Sequence, residues 1–594
     1  MSDLIAGIDL GTTNSEIAVY RDGGIQVVEK EGEMIMPSYT GLSPQGELLV
    51  GTPAKNQYVL YPELTVKSIK RKMGTSERVK LGEKDFAPQE ISAMILRALK
   101  ERAEYAVGEK IGKAIITVPA HFSDPQRQAT REAGEIAGFQ VLRIINEPTA
   151  ASLAYDLDHE MDQTILVYDL GGGTFDVSLI QIQKGVIEVL ASHGDNNLGG
   201  DDFDQKILHW LLERFRNETG VDISEDRRCV NRLLHAAEEA KKRLSFEPFT
   251  FIREDHLAEK DGLALHLNVE LSRGDFEKMI FEYLDKTLDS IHQALNDAGK
   301  APDEISQILL VGGSTRIPAV MELIINLTGV IPRQDIHPDL CVALGAGVLA
   351  SREMGVKEDK ILVDVTPFTF GIETLEFIDG YPVSDRFSPV IYRNTPLPAS
   401  RTQLYSTVDD GQDAVAIKIY QGEDDVASNN LLIGDFLVQG LRNVPAGNQI
   451  LVRMDLDLDG ILHVSATEKQ TGLSKKITIR DSFTQMDKEQ RSLARHRLDS
   501  MFQSPEKEQE ETFSYHAMPD ESSADSSLRT RIISARALVE KSQRLVPSMN
   551  SEDRSEAETL NHEILEAIEE QDMETIREKV ETLADLLFYV DDNQ

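Results

Sequence analysis

The sequence predicts a multidomain protein of mixed class, in which an α/β part is followed by a β part and then by an α part. Three observations predict this order. Strand patterns alternate with helix patterns as far as Gly355, short strands with turn signals continue to Ile479, and helical spacing fills the remainder, which is acidic toward its end. The chain has 594 residues, which suggests about three to five domains with separate hydrophobic cores.

One short motif occurs twice in the α/β part. Residues 9–19 read DLGTTNSEIAV, and residues 169–179 read DLGGGTFDVSL. In each copy apolar residues precede Asp-Leu-Gly, small residues follow it, and large apolar residues then alternate with polar or small ones. This pattern predicts a strand, a tight turn and a second strand. A single copy is equally typical of an ordinary hairpin, whereas two copies in the same register indicate a duplication.

The chemistry of the two copies predicts a nucleotide held between two halves of the chain. Glycines at the bend let backbone N–H groups surround an anion, and threonine hydroxyls add further donors. Asp9 and Asp169 end the first strand of each copy, so each carboxylate lies beside a predicted anion pocket. Two carboxylates that face two phosphate sites form the arrangement that a hydrated Mg²⁺ requires when it bridges phosphates.

A phosphoryl-transfer site also needs a cation at the γ-phosphate and a group that positions the nucleophile. Lysines are too numerous in this chain for spacing alone to identify that cation. Asn146-Glu147-Pro148 ends a strand-like run, and Glu147 is a candidate for orienting a water molecule. A turn residue without a catalytic role is the alternative at this position.

The remaining elements of the α/β part follow from hydrophobic spacing. Helices are predicted at 88–107, 125–137, 203–215 and 223–244 and from residue 318, and buried strands at 114–118, 141–145 and 308–311. Gly345-Ala-Gly347 resembles a dinucleotide-binding fingerprint. It follows a Pro338-Asp339 turn rather than a clear strand, which favours close helix packing instead.

A linker and a compact sheet domain are predicted after the α/β part. Charged residues at 357–360 precede the short apolar run 361–363, so 358–364 is predicted to be an interdomain linker that docks on another element. Strands are predicted at 403–407, 414–420, 449–456, 461–466 and 475–479. The sequence 455–460 resembles the start of a calcium loop, but Ala466 replaces the required bidentate glutamate, so a hairpin is predicted there.

The last part of the chain is predicted to be helical. Thr484-Gln-Met-Asp487 resembles a capping box at the start of a helix, and Ala494, Leu498 and Met501 form one apolar stripe along it. A break rich in Ser, Asp and Glu is predicted at 512–527. Further helices are predicted at 528–545 and 551–590.

Charge and cysteine content exclude several classes of function. The chain has 62 Lys and Arg against 101 Asp and Glu, which gives a net charge of −39. So acidic a surface repels nucleic-acid backbones and anionic membranes, and binding to either is not expected.

Two cysteines far apart do not support a disulfide framework or a zinc site. The N-terminus has no basic region and no apolar run is long enough to span a membrane, so a cytoplasmic location is expected.

Seven longer motifs resemble the seventy-kilodalton heat-shock chaperones, the DnaK-like family. They are IDLGTTNS (8–15), VPAHFSDPQRQAT (118–130), INEPTAASLAY (145–155), DLGGGTFDVS (169–178), LGGDDFD (198–204), VGGSTRIP (311–318) and DVTPF (364–368). They are specific, stand in the family's order and cover the α/β part completely. The resemblance weakens through the β part and is only architectural in the helical tail. Departures from the family pattern, such as Pro445-Ala446-Gly447 without the arginine that usually latches the lid, indicate a specialised bacterial member.

The resemblance implies an architecture and a function. It implies an actin-like duplicated ATPase domain at 1–357, a linker at 358–364, a β-sandwich peptide-binding domain at 365–483 and a helical lid at 484–594. Such a protein hydrolyses ATP to ADP and phosphate with Mg²⁺, and the linker couples hydrolysis to the binding and release of extended apolar segments of unfolded proteins. The implied partners are a J-domain co-chaperone and a nucleotide-exchange factor, and a monomer or weak oligomer is expected.

The resemblance also assigns residues within the nucleotide site. Phosphate binding falls to Gly11, Thr12, Thr13 and Asn14 on one side, and to Gly172, Gly173 and Thr174 on the other. Lys70 contacts the γ-phosphate, Glu147 and Thr174 orient the attacking water, and Asp9 and Asp169 act on Mg²⁺ through water. The adenosine pocket falls to Glu238, Lys241, Lys242, Ser245, Gly313, Ser314, Arg316 and Asp339.

Two further sets of residues follow from the same resemblance. Coupling between the nucleotide and the linker is assigned to Pro119, Arg127, Leu362 and Asp364. Peptide binding is assigned to Ile372, Leu375, Tyr405, Val408, Val415 and Ile417. Two alternatives remain open, namely a small-molecule kinase on the actin fold and an actin-like filament protein. The kinase leaves the chain beyond residue 364 without a purpose, and the net charge of −39 opposes self-association.

Overall fold

The computed structural model describes residues 4–155, 162–333, 336–356, 361–478 and 486–502, and the single positions 542, 554, 557, 559–564, 567, 575, 579, 582 and 583. The chain divides into two compact units, residues 1–504 and 505–594. The break predicted at 512–527 lies outside the described residues, as do Thr484, the charged stretch 357–360 and most of the helix predicted at 528–545. No helix among the described residues is long and apolar enough to cross a membrane.

The first half of the α/β part is built on one mixed main sheet, with a three-stranded sheet (β6-β5-β7), a two-stranded sheet (β8-β9) and helices beside it. Its strands are β1 (Ile5–Leu10), β2 (Asn14–Arg21), β3 (Gly24–Val27), β4 (Met36–Pro37), β5 (Thr40–Leu42), β6 (Leu48–Val50), β7 (Thr65–Val66), β8 (Val79–Leu81), β9 (Lys84–Phe86), β10 (Lys113–Val118) and β11 (Gln140–Asn146). Its helices are α1 (Thr52–Tyr58), α2 (Pro88–Val107), α3 (Asp124–Ile136) and α4 (Glu147–Ala154). The main sheet has the order β11-β10-β1-β2-β3, and β4 pairs with β2.

The second half repeats this arrangement. Its strands are β12 (Gln163–Leu170), β13 (Phe175–Gln183), β14 (Val186–Asp195), β15 (Phe249–Lys260), β16 (Leu263–Ser272), β17 (Gln307–Val311) and β18 (Ile361–Val363). Its helices are α5 (Gly200–Thr219), α6 (Arg227–Leu244), α7 (Arg273–Ala298), α8 (Pro318–Thr328) and α9 (Cys341–Glu353). The main sheet has the order β17-β12-β13-β14-β18, so β12, β13, β14 and β17 correspond to β1, β2, β3 and β10.

The two halves pack closely because helix α9 lies against the first sheet and against α4. A Cβ atom at Gly345 would lie 1.7 Å from the carbonyl oxygen of Ala150, and one at Gly7 would lie 2.2 Å from the backbone nitrogen of Gly347. Only glycine permits such backbone contacts. The glycines that resemble a dinucleotide fingerprint therefore serve helix packing, as the sequence predicts.

The β part is formed by two four-stranded antiparallel sheets. The strands are β19 (Phe370–Ile378), β20 (Tyr381–Ile391), β21 (Ala399–Ser406), β22 (Ala414–Gln421), β23 (Leu431–Gln439), β24 (Gln449–Leu456), β25 (Leu462–Glu468) and β26 (Ser474–Thr478). The sheet orders are β20-β19-β22-β23 and β21-β24-β25-β26. One apolar cluster with members on both sheets, among them Phe370, Ile419, Val452 and Val464, forms the core.

One helix of the α part is described in the first unit. Helix α10 (Lys488–Phe502) begins after Asp487, whose carboxylate accepts a 2.7 Å hydrogen bond from the backbone of Gln490. The backbone N–H of Asp487 in turn donates a 3.0 Å hydrogen bond to Oε1 of Gln490. Asp487 and Gln490 therefore form a capping box at the start of the described helix, and Thr484 lies outside the described residues. Ala494 and Leu498 are buried in the core of the first half, so the predicted apolar stripe contacts the α/β part.

Candidate functional site

A deep cavity of about 380 Å³ lies between the two halves of the α/β part, where the two copies of the motif face each other. The predicted residues that line it are Asp9, Gly11, Thr12, Thr13, Asn14, Lys70, Glu147, Asp169, Gly172, Thr174, Glu238, Lys241, Lys242, Ser245, Gly313, Ser314, Arg316 and Asp339. Gly173 is the predicted residue that does not line it. Its carbonyl accepts a 3.0 Å hydrogen bond from Nε of Arg71 instead.

The two motif loops approach each other at one end of the cavity. A Cβ atom at Gly172 would lie 1.8 Å from Oγ1 of Thr13, and one at Gly173 would lie 2.5 Å from the methyl group of Thr12. Glycine is therefore required in the second loop because the first loop occupies the space of a side chain. The backbone N–H groups and threonine hydroxyls of both loops form a site suited to anionic oxygens.

Lys70 and Glu147 form a buried ion pair at this end of the cavity. Nζ of Lys70 lies 2.5 Å from Oε1 of Glu147, although the two residues are 77 positions apart in the chain. A short 3₁₀ helix, Ile69–Lys72, carries the lysine, and Glu147 is the first residue of α4. Burial lowers the pKa of Lys70, but the carboxylates of Glu147 and Asp9 outweigh it, so the net pKa is raised and the lysine stays charged.

Asp9 and Asp169 face the same space from the ends of β1 and β12. Oδ1 of Asp9 accepts a 2.9 Å hydrogen bond from Thr117. Burial raises the pKa of both carboxyls, and the nearby charge of Glu147 raises each further. Such carboxyls ionise readily only when a cation is close. Within the described part of the chain, no three His, Cys, Asp or Glu side chains converge as a metal-binding cluster. Two carboxylates in this position would suit a Mg²⁺ ion bound to them through water.

The other end of the cavity is formed by α6 and the loops before α8 and α9. Nζ of Lys241 donates to Asp204 at 2.8 Å and to the carbonyl of Gly200 at 2.9 Å. Nη2 of Arg316 donates to Asp339 at 3.0 Å. The long side chains on this side are thus held in place before any ligand binds, which suits recognition of a nucleoside.

Glu238 on α6 lines the cavity and contacts lysines of both halves. Oε1 of Glu238 lies 2.7 Å from Nζ of Lys242 and 3.7 Å from Nζ of Lys55, which belongs to α1 in the first half. Burial alone would raise the pKa of Glu238, but Lys242 and Lys55 lower it to about 2. The carboxylate is therefore ionised at neutral pH and joins the two halves across the opening.

Sequence reasoning missed several residues that line the cavity. They are Glu16, Tyr39, Lys67, Ser68, Asp201, Asp204 and Phe246, together with backbone positions near Gly171, Gly312 and Pro338. Glu16, Asp201, Asp204, Gly171 and Gly312 belong to the motifs given above, and the strand alternation around Glu16 could have placed it on the face of Asp9. Tyr39, Lys67, Ser68 and Phe246 carried no signal, because they reach the cavity only through the packing of distant segments.

A chain of hydrogen bonds connects Arg127 to the predicted linker through Asn146, whose neighbour Glu147 lines the cavity. Nη2 of Arg127 donates to Oδ1 of Asn146 at 2.7 Å and to the carbonyl of Ala120 at 2.9 Å. Nδ2 of Asn146 in turn donates to Oδ2 of Asp364 at 2.9 Å. Pro119 is buried directly after β10, one residue before Ala120. The structure thus brings three of the four predicted coupling residues together, and it adds Asn146 to them.

The fourth predicted coupling residue lies in the linker strand itself. Strand β18 pairs in parallel with the edge strand β14, with Ile361, Leu362 and Val363 opposite Val186, Ile187 and Glu188. Leu362 packs against the apolar cluster that contains α4 and α9. The linker therefore docks on the second half by adding a strand to its sheet. The sequence predicts that the linker docks but does not identify the element that it docks on.

The β part contacts the α/β part through polar groups on both sides. Oδ1 of Asp459 accepts a 3.1 Å hydrogen bond from the backbone of Ile144, and its Oδ2 accepts another from Arg131. On the other side, Nη2 of Arg393 donates to Asp297 at 2.8 Å. The β24–β25 turn that resembles a calcium loop is a hairpin, as predicted, and its last aspartate forms this interface.

The six predicted peptide-binding residues lie in different environments. Leu375 and Val408 are exposed, 41% and 46% respectively. Tyr405 and Val415 are half-buried against the sandwich core, and Oη of Tyr405 lies 3.1 Å from the hydroxyl of Ser388. Ile372 and Ile417 are buried in that core and offer no surface to a peptide in this arrangement. The exposed pair therefore marks the accessible part of the predicted groove.

Comparison with known proteins gives a consistent result. The model of the family described as Hsp70 protein matches residues 5–592. A protein named "Chaperone protein DnaK" from Thermotoga neapolitana is 47% identical over 486 residues, which cover 80% of each chain. Proteins of the same name from Thermotoga petrophila and Thermosipho africanus are also 47% identical, over 486 and 485 residues and with the same coverage.

Proposed function

Because the chain belongs to the Hsp70 protein family, we propose that it is an ATP-dependent chaperone that binds and releases extended apolar segments of unfolded proteins. The cavity between the two motif copies is the observation that carries this proposal. It combines two anion-binding loops, a buried lysine and two carboxylates within one space. Family membership favours this function over a small-molecule kinase and over an actin-like filament.

The chemistry proposed for the cavity is hydrolysis of ATP to ADP and phosphate. The loops around Thr13 and Gly172 would bind the phosphates, and Asp9 and Asp169 would hold, through water, a Mg²⁺ ion that would neutralise charge on the phosphate oxygens. Lys70 supplies a fixed positive charge at the γ-phosphate, and Glu147 and Thr174 hold the attacking water in line with it. All three side chains are buried and line the same cavity, so water enters the site in limited numbers.

The β part is proposed to be the peptide-binding domain, with α10 and the residues beyond it as the lid. Exposed Leu375 and Val408 offer apolar contacts for an extended segment. The docked linker, the Asn146–Asp364 hydrogen bond and the contacts of Asp459 connect this domain to the cleft. Docking and release of these contacts as the nucleotide changes would couple hydrolysis to peptide affinity.

The same proposal covers domain limits, partners and location. It places the ATPase domain at 1–357, the linker at 358–364, the sandwich domain at 365–483 and the lid at 484–594. The partners that follow from the family are unfolded polypeptides, a J-domain co-chaperone and a nucleotide-exchange factor, in the cytoplasm.

Steady-state hydrolysis tests the proposal against both alternatives. We expect Mg²⁺-dependent release of phosphate from ATP without any small acceptor, and a faster rate when an unfolded apolar peptide or a J-domain protein is added. Transfer of phosphate to a small acceptor would indicate the kinase. A hydrolysis rate that does not change when peptide is added, together with formation of a sedimentable polymer, would indicate the actin-like filament protein.

A further inference from the structure

The hairpin formed by β19 and β20 extends beyond the four-stranded part of its sheet. Strand β22 pairs with β19 only at Phe370, Gly371 and Ile372, whereas β20 pairs with β19 as far as Ile378. Within the described part of the chain, β19 therefore has β20 as its single neighbouring strand after Ile372. The end of this two-stranded hairpin, residues 375–384, is called the ribbon below.

The ribbon is a regular element that is held at its base. At its tip, Asp379 and Gly380 have φ angles of 51° and 82°, and positive φ at both central residues is typical of the type I′ turn that suits a two-residue hairpin. At its base, Asp385 accepts a 2.6 Å hydrogen bond from the hydroxyl of Ser428 and a 2.8 Å hydrogen bond from the Ser428 backbone. These contacts fix where the ribbon leaves the sandwich.

Both faces of the ribbon carry apolar side chains. Phe377 lies opposite Pro382, and Tyr381 lies on the other face together with Val383, because side chains alternate along a strand. Phe377 is 65% exposed and Tyr381 is 75% exposed. A surface hairpin ordinarily presents a polar face to water. Large apolar side chains exposed on both faces therefore indicate a surface that another molecule covers.

The ribbon continues the surface that is proposed to bind peptide. It begins at Leu375, and Ser388 at the base of β20 lies 3.1 Å from the hydroxyl of Tyr405, so it contacts two of the residues assigned to peptide binding. Strand β19 has a free edge along the ribbon and retains every N–H there, whereas β20 contains Pro382 and Pro389, which have none. An extended segment can therefore add to β19 as a further strand.

Charge separates such a segment from other occupants. The ribbon contains Glu376 and Asp379 and no lysine or arginine, the whole chain has a net charge of −39, and residues 551–594 are acidic as well. A second copy of the chain, or its own acidic C-terminal part, would meet like charge at the ribbon. An apolar segment that is neutral or basic meets no such repulsion.

We propose that the ribbon is a second contact site for the unfolded polypeptide, beyond the six residues assigned to the groove, and that Phe377 and Tyr381 supply its apolar contacts. This inference rests on the proposed function, because the ligand is the same extended apolar polypeptide. Its consequence is a preference for segments in which a second apolar cluster follows or precedes the first by a few residues.

Peptide binding to the full chain with ADP tests this assignment. A fluorescent peptide of about seven residues with one apolar cluster is compared with two peptides that are longer by about six residues, or about 20 Å, and carry a second apolar cluster at one end or the other. Wild type is expected to bind one of the longer peptides about tenfold more tightly than the short one. Phe377→Ser and Tyr381→Ser are each expected to lose most of this gain and to bind the short peptide as wild type does, which shows that the sandwich is folded.

The matched control is Leu431→Ser. Leu431 is 47% exposed at the start of β23, opposite Gln421, which pairs with Phe370 at the other end of β19 from the ribbon. This variant is expected to keep the gain. Equal binding of the short and both longer peptides by wild type, or an undiminished gain in both ribbon variants, would show that the proposal is wrong.

Sedimentation velocity identifies the alternative occupant. A wild-type dimer that dissociates in Phe377→Ser and Tyr381→Ser, without a gain for the longer peptides, would assign the ribbon to contact between copies and overturn the proposal. If wild type binds none of the peptides, the proposed function itself fails, and this inference fails with it.

Discussion

Asn146 donates a 2.9 Å hydrogen bond to Asp364, and its neighbour in the chain, Glu147, pairs with Lys70 inside the cleft. The strand β11 ends at Asn146 and the helix α4 begins at Glu147. A displacement of Glu147 when a phosphate competes for Lys70 would therefore move Asn146 as well. We infer that this junction transmits the state of the cleft to the linker.

Lys70→Ala and Thr174→Ala are expected to bind ATP but to hydrolyse it about a hundred- to a thousandfold more slowly, because each removes a group directed at the γ-phosphate. Single-turnover hydrolysis measures the chemical step, and equilibrium binding of a fluorescent ATP analogue measures affinity. Lys72→Ala is the matched control, since Lys72 is exposed and pairs with Glu77 at the surface. Rates near wild type in both variants would contradict the assignment.

Leu362→Asp is expected to abolish the stimulation of hydrolysis by peptide while nucleotide binding is retained. Leu362 packs into an apolar cluster, and burying a charge there costs roughly a few kcal/mol, so the linker would leave the sheet. Ile361→Asp is the matched control, because Ile361 is 61% exposed in the same strand. Steady-state ATPase with and without peptide is the measurement. If Leu362→Asp still responds to peptide, the linker is only a tether.

Asp459→Asn is expected to weaken docking of the β part on the α/β part, since it removes a charge that Arg131 and the Ile144 backbone both bind. Hydrogen bonds to charged groups are worth about 1.5 to 3 kcal/mol, which is roughly ten- to a hundredfold in the docking equilibrium. Fluorescence energy transfer between labels on the two parts reports this equilibrium with ATP bound. Asp409→Asn changes an exposed aspartate and should not alter it.

The pH dependence of docking is expected to change when His121 is replaced by Phe. The ring centroids of His121 and Phe368, a residue of the β part, are 4.3 Å apart. Burial, together with the charges of His193 and Arg127, lowers the pKa of His121 to about 3. A lowered pKa means that the docked state requires the neutral ring. Docking should therefore be favoured above a pH of about 6.5. Below that pH, the equilibrium constant of docking should fall about tenfold for each pH unit.

Asp124 opposes this effect, because burial at the same interface raises its pKa to about 7 and docking then favours its protonated form. The comparison is therefore made between His121→Phe and wild type at each pH, so that Asp124 cancels. As the pH is lowered from about 7 to about 5.5, we expect the docked fraction of wild type to fall relative to that of His121→Phe. This range spans the pKa of about 6.5 of a free histidine. His209→Phe is the control, since His209 is exposed. Parallel pH profiles would contradict the role of His121.

The sequence predicts much of the cleft because its parts are contiguous. The loops around Thr13 and Gly172 each lie within a few residues of their aspartates, so glycine and threonine patterns are sufficient to place them. Lys70 is different, since it meets Glu147 only across 77 positions of chain. Spacing cannot select it among many lysines, and only the family resemblance identified it.

Contacts that depend on packing between domains could not be predicted. Arg131 and Asp459 are 328 positions apart, and no local pattern relates them. The family resemblance assigns Ile372 and Ile417 to peptide binding, and the structure places both in the sandwich core, where their accessibility depends on how the two sheets pack.

The central claim is that the state of the cleft reaches the β part through Asn146 and Asp364. Release of a bound fluorescent apolar peptide tests it most directly, when measured after mixing with Mg²⁺ and either ATP or ADP, in wild type and in Asn146→Ala. We predict that ATP accelerates release in wild type, and that Asn146→Ala binds ATP but loses most of this acceleration. Equal release rates with ATP and ADP in wild type, or full acceleration in Asn146→Ala, would contradict the claim.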